Sequence, residues 1–195
     1  MSKYQIVIHH DHDADNPCDN DGAWKFYSFS NRHKNFKEPE SLNDESGKLN
    51  TEIKDKLENG LAFILSYYEH GLCAWSIAGT GPQCQWDSTR VAGLAVWEEP
   101  EENMGAKTYQ EREQDCKISA EEYTDWCNGN CYYFELANQN QKIDTCGGII
   151  GCDNLLDCIR QSLPNDATKQ NTEIEDPIGV LSYSDVFVKT PACTA

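Results

Sequence analysis

The chain is poor in basic residues. Its 195 residues include 16 Lys and Arg but 33 Asp and Glu, which gives a formal net charge of −17 at pH 7 with His neutral. Binding a nucleic-acid backbone requires several Lys or Arg directed at phosphates, and the one basic cluster is small, comprising Arg32, Lys34 and Lys37. The deficit argues against direct nucleic-acid binding and favours a basic partner, attracted more strongly at low salt.

Long apolar runs are also missing. No segment approaches the roughly 20 apolar residues that a membrane-spanning helix needs. The apolar run after Tyr4 is too short for a signal peptide, and polar residues follow it at once. We therefore predict a protein that does not contact a membrane and that resides in the cytoplasm.

The ten cysteines lack the spacing of a structural zinc site. Such sites usually contain two C-x-x-C pairs, or one pair with two histidines. Here three residues separate Cys127 from Cys131, and all five histidines precede residue 71. In a reducing cytosol free thiols are the default, so we predict buried thiols packed as small apolar groups instead of five disulfides.

Aromatic residues, by contrast, are plentiful enough for a folded core. The chain has five Trp, nine Tyr and six Phe, and disordered chains are poor in these. Hydrophobic spacing predicts helices over 51–69, 107–126 and 154–163, with a capping box at Ser119 and Glu122. Strand patterns occupy 4–8, 24–30, 73–78, 91–97, 131–137 and 142–145. This order predicts an α+β fold, with two or three helices packed on a mostly antiparallel sheet.

We predict one domain over residues 1–163, within which residues 98–126 form an acidic, partly helical arm. After it, the sequence predicts a polar linker over 165–177 and an edge strand over 178–188. The domain and the tail together account for residues 1–195.

The acidic excess is concentrated in this arm. Its ten acidic residues are Glu98, Glu99, Glu101, Glu102, Glu111, Glu113, Asp115, Glu121, Glu122 and Asp125. Like charges three or four residues apart on a helix repel each other, so their retention favours a partner that neutralises them. We predict that these ten side chains bind that partner. The competing interpretation is a solvated helix in a protein that is acidic throughout.

A second candidate site follows the first strand. His10, His12 and Asp13 combine imidazole and carboxylate groups, which suit zinc, manganese or iron. A hydrolytic site would use such a metal to lower the pKa of bound water. The alternative is a polar loop whose Asp side chains cap turns.

A third candidate is a small-ligand pocket made of Trp24, Arg32, His33, Trp86 and Asp87. Aromatic rings could stack on a nucleotide base, and basic side chains would offset its phosphate charge. The alternative is that the Trp residues belong to the core. For the glycine-rich stretch over 147–151, a tight strand-to-helix turn is favoured over a phosphate site.

Between residues 4 and about 162 the chain resembles a group of uncharacterised bacteriophage proteins. Five segments carry the resemblance: Asp-Asn-Pro at 15–17 with 19–24 after it, Ser-Asn-Arg-His at 30–33, Cys-Gln-Trp-Asp-Ser at 84–88, Asn-Gly-Asn-Cys-Tyr-Tyr-Phe at 128–134, and Ile-Asp-Thr-Cys-Gly-Gly at 143–148. The chain departs from the group at Thr89 and Arg90, where a glycine is usual, and in its acidic arm and tail. The resemblance implies a phage setting in the host cytosol and no established reaction.

These observations leave three functional hypotheses. The first is a phage-encoded, non-catalytic inhibitor that counters host defence by binding a basic host protein that handles nucleic acid, through mimicry of its phosphates. The second is a metal-dependent hydrolase or a nucleotide-binding protein. The third is a structural or assembly component of a phage particle. The sequence assigns no catalytic residue and favours the first hypothesis.

Overall fold

A computed structural model describes residues 3–39, 42–44, 47–139 and 141–187, and these form an α+β fold, as predicted. The helices are α1 (Thr51–Glu58), α2 (Tyr109–Cys127), α3 (Cys152–Ser162) and α4 (Tyr183–Val186). The strands are β1 (Tyr4–His10), β2 (Lys25–Ser28), β3 (Ala62–His70), β4 (Leu72–Ile77), β5 (Ser88–Val96), β6 (Cys131–Asn138), β7 (Gln141–Ile150) and β8 (Thr172–Glu175). Among the described helices, none is long and apolar enough to cross a bilayer.

The chain divides into two compact units, one of them discontinuous. The first combines residues 1–15 with 129–195, and the second spans residues 16–128. The range 1–163, which we predicted as one domain, contains all of the second unit and part of the first. Each unit contains one four-stranded sheet.

The sheet of the first unit has the order β7-β6-β1-β8. The strands predicted over 131–137 and 142–145 are β6 and β7, which pair antiparallel as a hairpin, and β1 pairs antiparallel with β6 but parallel with β8. Alternate residues of β1 are buried, as expected for a strand covered on one face. Ile6 and Phe134 pack there against Leu155 and Ile159 of α3 in one core.

The sheet of the second unit is wholly antiparallel, with the order β2-β5-β3-β4. The strand predicted over 91–97 is confirmed as β5, and it is central because it pairs with β2 on one side and β3 on the other. One face carries a core that includes Leu94 and Ile53 of α1. The other face carries Trp24 and Trp75, which pack with Tyr123 and other residues of α2.

The predicted helix over 51–69 is wrong in its second half. The structure ends α1 at Glu58 and begins β3 at Ala62, with Gly60 at φ +69° between them. The strand is buried on both faces over much of its length, so its apolar residues form a near-continuous run. Such a run satisfies helical spacing as well as strand spacing.

The C-terminal predictions are also corrected. The stretch predicted as a linker contains β8, which pairs with β1, and its Ile174 packs against the core of the first unit. The range predicted as an edge strand contains α4 instead, and residues 188–195 lie outside the described residues. Gly147 and Gly148 lie within β7, so the strand-to-helix turn is later than predicted.

The helix starts were predicted imperfectly. A capping box does begin α2, but its residues are Thr108 and Glu111, and Ser119 lies in mid-helix. Helix α3 starts after Gly151, at φ +84°, without a side-chain cap. The sequence pattern of a capping box also occurs by chance in the middle of helices. It can act as a cap only at the N-terminal end, where the backbone N–H groups have no partner within the helix.

Candidate acidic interface

The orientation of α2 determines which of its acidic residues face solvent. Its buried residues are Arg112, Cys116, Ala120 and Tyr123, which follow helical spacing and form the face that packs on the second unit's sheet. The remaining surface of α2 carries six acidic residues, Glu111, Glu113, Asp115, Glu121, Glu122 and Asp125. The predicted arm is therefore a packed helix with an acidic outer face.

Four of the ten predicted partner-binding residues make contacts within the protein. Glu98 accepts from the Tyr27 hydroxyl, Glu101 from Arg112, Glu111 from the Thr108 and Lys107 amides, and Asp115 from the Trp24 indole at 2.8 Å. These amide hydrogen bonds hold the pKa of Glu111 below its usual range. Structural roles explain these four acidic residues without a partner.

Glu99, Glu102 and Glu113 differ from those four. Glu102 is exposed and the other two are half-buried. None of the three makes an ion pair with the described residues. These three carboxylates therefore add to the negative charge of the region. They lie outside the last two turns of α2, where the other three acidic residues are grouped.

Glu121, Glu122 and Asp125 lie on the last two turns of α2, and we call them the acidic end of α2. Partial burial, and secondarily Asp125, raises the pKa of Glu122. No basic residue lies in the last turn, where a carboxylate is unfavourable by about 0.3–1 kcal/mol because the helix dipole is negative there. Asp125 lies in this last turn, and Glu121 and Glu122 lie one turn before it.

A cavity of about 460 Å³ adjoins the acidic end. The residues that give it its chemical character are Trp75, Thr80, Lys117, Glu121, Thr124 and Asp125. The volume falls within the range of small-ligand sites. One ammonium group and two carboxylates line it, so its charge favours a cationic group. The buried indole N–H of Trp75 has no hydrogen-bond partner among the described residues.

The cavity exists because α2 covers the edge of β4 only in part. Asn128 donates to the Cys73 carbonyl at 2.8 Å and accepts from its amide at 2.9 Å. Thr124 binds the amide and carbonyl of Trp75 in the same way, at 2.9 and 3.2 Å. Thr124 and Asn128 are four residues apart, which is about 6 Å along a helix, and Cys73 and Trp75 are two residues apart, which is a similar distance along a strand. Each helix side chain therefore lies level with the strand residue that it binds. The next helical position is Ala120, which has no polar group to continue the ladder.

We expect Asn128→Ala to lower the free energy of unfolding by about 2 kcal/mol. It removes both hydrogen bonds to Cys73 and leaves half-buried backbone groups of an edge strand unpaired. Urea denaturation followed by fluorescence measures the change. Gln114→Ala, on the exposed face of α2, is the control and should change stability by less than about 0.5 kcal/mol. An equal loss in both variants would contradict the edge-covering role.

The residues predicted to bind metal lie at the end of β1, which includes His10, and in the turn that follows it, which includes His12 and Asp13. His10 and His12 stack with ring centroids 5.9 Å apart, and His10 also lies 5.6 Å from the Tyr132 ring. Asp13 donates its amide to Asp11, whose other carboxylate oxygen accepts from the Gly148 amide at 2.8 Å. No group of three or more His, Cys, Asp or Glu suited to a metal ion occurs within the described ranges. Asp11 therefore has a structural function here, tying the turn to β7.

The five residues of the predicted ligand pocket have different environments. Trp24 is buried in the core, whereas Trp86 is 85% exposed. His33 packs on the Tyr67 ring and lies 2.7 Å from the Ser28 hydroxyl. Burial lowers its pKa.

Arg32 is exposed, and Asp87 pairs with His70 at 3.4 Å. No ring contact or hydrogen bond joins any two of these five within the described part of the chain. Sequence reasoning missed the cavity beside α2, because only the packing of α2 on β4 brings its lining together.

No family model, curated protein or solved structure matches this chain. The phage resemblance thus stays a prediction.

Proposed function

We propose that this protein is a non-catalytic inhibitor that binds a basic protein through the acidic end of α2. The observation that carries the proposal is the grouping of Glu121, Glu122 and Asp125 on two helical turns beside a cavity with one lysine. Charges of one sign on a compact surface accelerate association with an oppositely charged partner and select against acidic ones.

The cavity supplies an anchor point for an arginine side chain of the partner. Ala120 and Trp75 offer apolar surface for the aliphatic stem, and Glu121 and Asp125 offer carboxylates for the guanidinium group. Arginine forms paired hydrogen bonds with carboxylates and is enriched among the residues that dominate binding energy. This is why a basic protein surface is favoured over a free inorganic cation.

The phage resemblance supplies the biological setting of the proposal. A phage protein in the host cytosol would meet defence proteins that handle nucleic acid and carry basic grooves for phosphates. The carboxylates of the acidic end would compete with phosphates for such a groove. The proposed function is therefore counter-defence by phosphate mimicry.

We expect an arginine-rich peptide of about ten residues to bind the wild-type protein with an affinity that falls steeply as salt rises. The triple variant Glu121→Gln, Glu122→Gln, Asp125→Asn should bind at least tenfold more weakly, because it removes the carboxylates that would contact the peptide. Fluorescence anisotropy with labelled peptide at low and high salt measures both effects.

The matched control neutralises three carboxylates elsewhere, namely Glu99, Glu102 and Glu173, as glutamines. It changes the net charge by the same amount and should weaken binding less than about threefold. Equal losses in the two triple variants would show that net charge alone attracts the peptide, and the interface would be rejected. Capture from bacterial lysate then tests the setting: a basic nucleic-acid-handling protein should be retained by the wild type and lost by the first variant.

A further inference from the structure

A second cavity, of about 330 Å³, lies beside the segment that joins β4 to β5. Its polar lining residues are Ser66, Gln83, Ser88 and Arg90, and none of its lining residues is acidic. It shares only Pro82 with the cavity next to α2. The chain has a net charge of −17, yet the charged group in this cavity is a guanidinium, so the cavity favours an anionic ligand.

A bulge in β5 shapes this cavity. Leu65 and Tyr67 are two residues apart on β3, whereas their partners on β5 are four residues apart. Strand β5 therefore bulges over residues 90–92, opposite Ser66. A bulge redirects side chains that would otherwise alternate, and bulges are frequent beside active sites. This one places Arg90 and Ser66 around the same cavity.

The hydroxyl groups of the two lining serines are engaged within the protein. Ser66 is 9% exposed, and its hydroxyl lies 3.0 Å from the Ser76 hydroxyl and 3.3 Å from the Ser76 carbonyl oxygen. The Ser88 hydroxyl donates to the Pro82 carbonyl at 3.2 Å and accepts from the Cys84 amide at 2.8 Å. These bonds hold the wall of the cavity in place, and they leave the side-chain donors for a ligand to other residues.

Arg90 and Gln83 supply those donors. Arg90 is exposed and makes no ion pair with the residues that the structure describes, whereas Arg112 and Arg160 both do. One arginine can occupy both oxygens of a carboxylate, but a phosphate monoester has a third oxygen that can accept from the Gln83 amide as well. A volume near the lower end of the range for small-ligand sites suits a phosphate with its attached sugar.

Trp86 lies in the turn between Gln83 and Ser88. Its side chain is 85% exposed, and its Cα atom is at most about 7 Å from that of Ser88, which lines the cavity. The turn is held by Asp87, which accepts from the Cys84 thiol at 3.4 Å and does not itself line the cavity. An exposed indole beside a phosphate site offers a surface on which a nucleotide base can stack.

We propose that this cavity binds a nucleoside monophosphate, with its phosphate on Arg90 and Gln83 and its base stacked on Trp86. The arginine fixes the phosphate, and the indole selects a nucleotide over a sugar phosphate that has no base. The site is separate from the acidic end of α2, so its test does not depend on the binding of a basic protein.

Isothermal titration calorimetry of the full chain at about 0.15 M salt tests the proposal. The probes are adenosine, guanosine, cytidine and uridine monophosphate in turn, then ribose 5-phosphate and the nucleoside of the tightest nucleotide. We expect at least one nucleotide to bind saturably, and both ribose 5-phosphate and the nucleoside to bind about tenfold more weakly or less. The absence of saturable binding by all four nucleotides would overturn the proposal. So would a nucleoside or ribose 5-phosphate that binds as tightly as the nucleotide.

Variants of exposed side chains locate the ligand without disturbing the core. Arg90→Gln should weaken nucleotide binding about tenfold or more, because it removes the charge that pairs with the phosphate. Trp86→Ala should weaken it about fivefold or more and leave ribose 5-phosphate binding unchanged. Arg32→Gln, at another exposed arginine, is the matched control and should change binding less than about twofold. Full binding by Arg90→Gln or Trp86→Ala, or an equal loss in Arg32→Gln, would contradict the assignment.

Discussion

Gly93→Ala is expected to lower the free energy of unfolding by about 3 kcal/mol. Gly93 lies in β5 opposite Ser28 of β2, and a Cβ atom at this position would lie 1.9 Å from the Tyr27 carbonyl oxygen. That oxygen belongs to the backbone of a paired strand, so it cannot move aside as a side chain would. Separating β2 from the central strand would also disturb Tyr27 and Phe26, which are buried. Urea denaturation of both proteins measures the loss.

Gly105→Ala is the control for this prediction. A Cβ atom there would meet no other atom within 4 Å, and the backbone is not in the left-handed region. It should change stability by less than about 0.5 kcal/mol. A loss at Gly93 as small as at Gly105 would show that the β2–β5 pairing adapts to a methyl group.

Arg112→Met is expected to lower the free energy of unfolding by about 3 kcal/mol. The side chain is 8% exposed and donates to the Asn59 carbonyl at 2.9 Å, to the Ala106 carbonyl and to Glu101. It thereby joins α2 to the end of α1 and to the segment before α2. Methionine retains much of the aliphatic volume but no donor, so the loss reports on hydrogen bonds, which are strongest when one partner is charged.

Lys117→Met, on the exposed face of the same helix, serves as the control and should leave the denaturant midpoint nearly unchanged. Arg112→Lys should recover only part of the loss, because one ammonium group cannot reproduce the planar fork of donors. If Arg112→Lys were as stable as the wild type, charge alone would account for the role of Arg112, and the three-way hydrogen bonding would be unnecessary.

Much of the secondary structure was predictable because local patterns agree with the tertiary environment. The central strand β5, the strand β6 and most of α2 were predicted close to their observed bounds, whereas the strand predicted over 142–145 covers only the first half of β7. Each has either a one-sided apolar pattern or a short apolar run between turn residues. The α+β class follows from the same elements.

The failures occur where a distant strand decides the local conformation. Residues 62–70 form a strand because β4 and β5 pair with both of its edges, although their apolar spacing also suits a helix. The polar segment 172–175 forms β8 because the open edge of β1 accepts it. Neither partner is visible within a local window of sequence.

The sequence by itself determined the charge excess, the poverty in basic residues, the fold class and the position of the acidic helix, since these depend on composition and local periodicity. Only the tertiary structure decided which carboxylates accept hydrogen bonds from Tyr27, Arg112, Thr108 and Trp24, and which lie beside the cavity next to α2. Residues far apart in sequence become neighbours through strand pairing and helix packing, and hydrogen bonding and charge at each site depend on those neighbours.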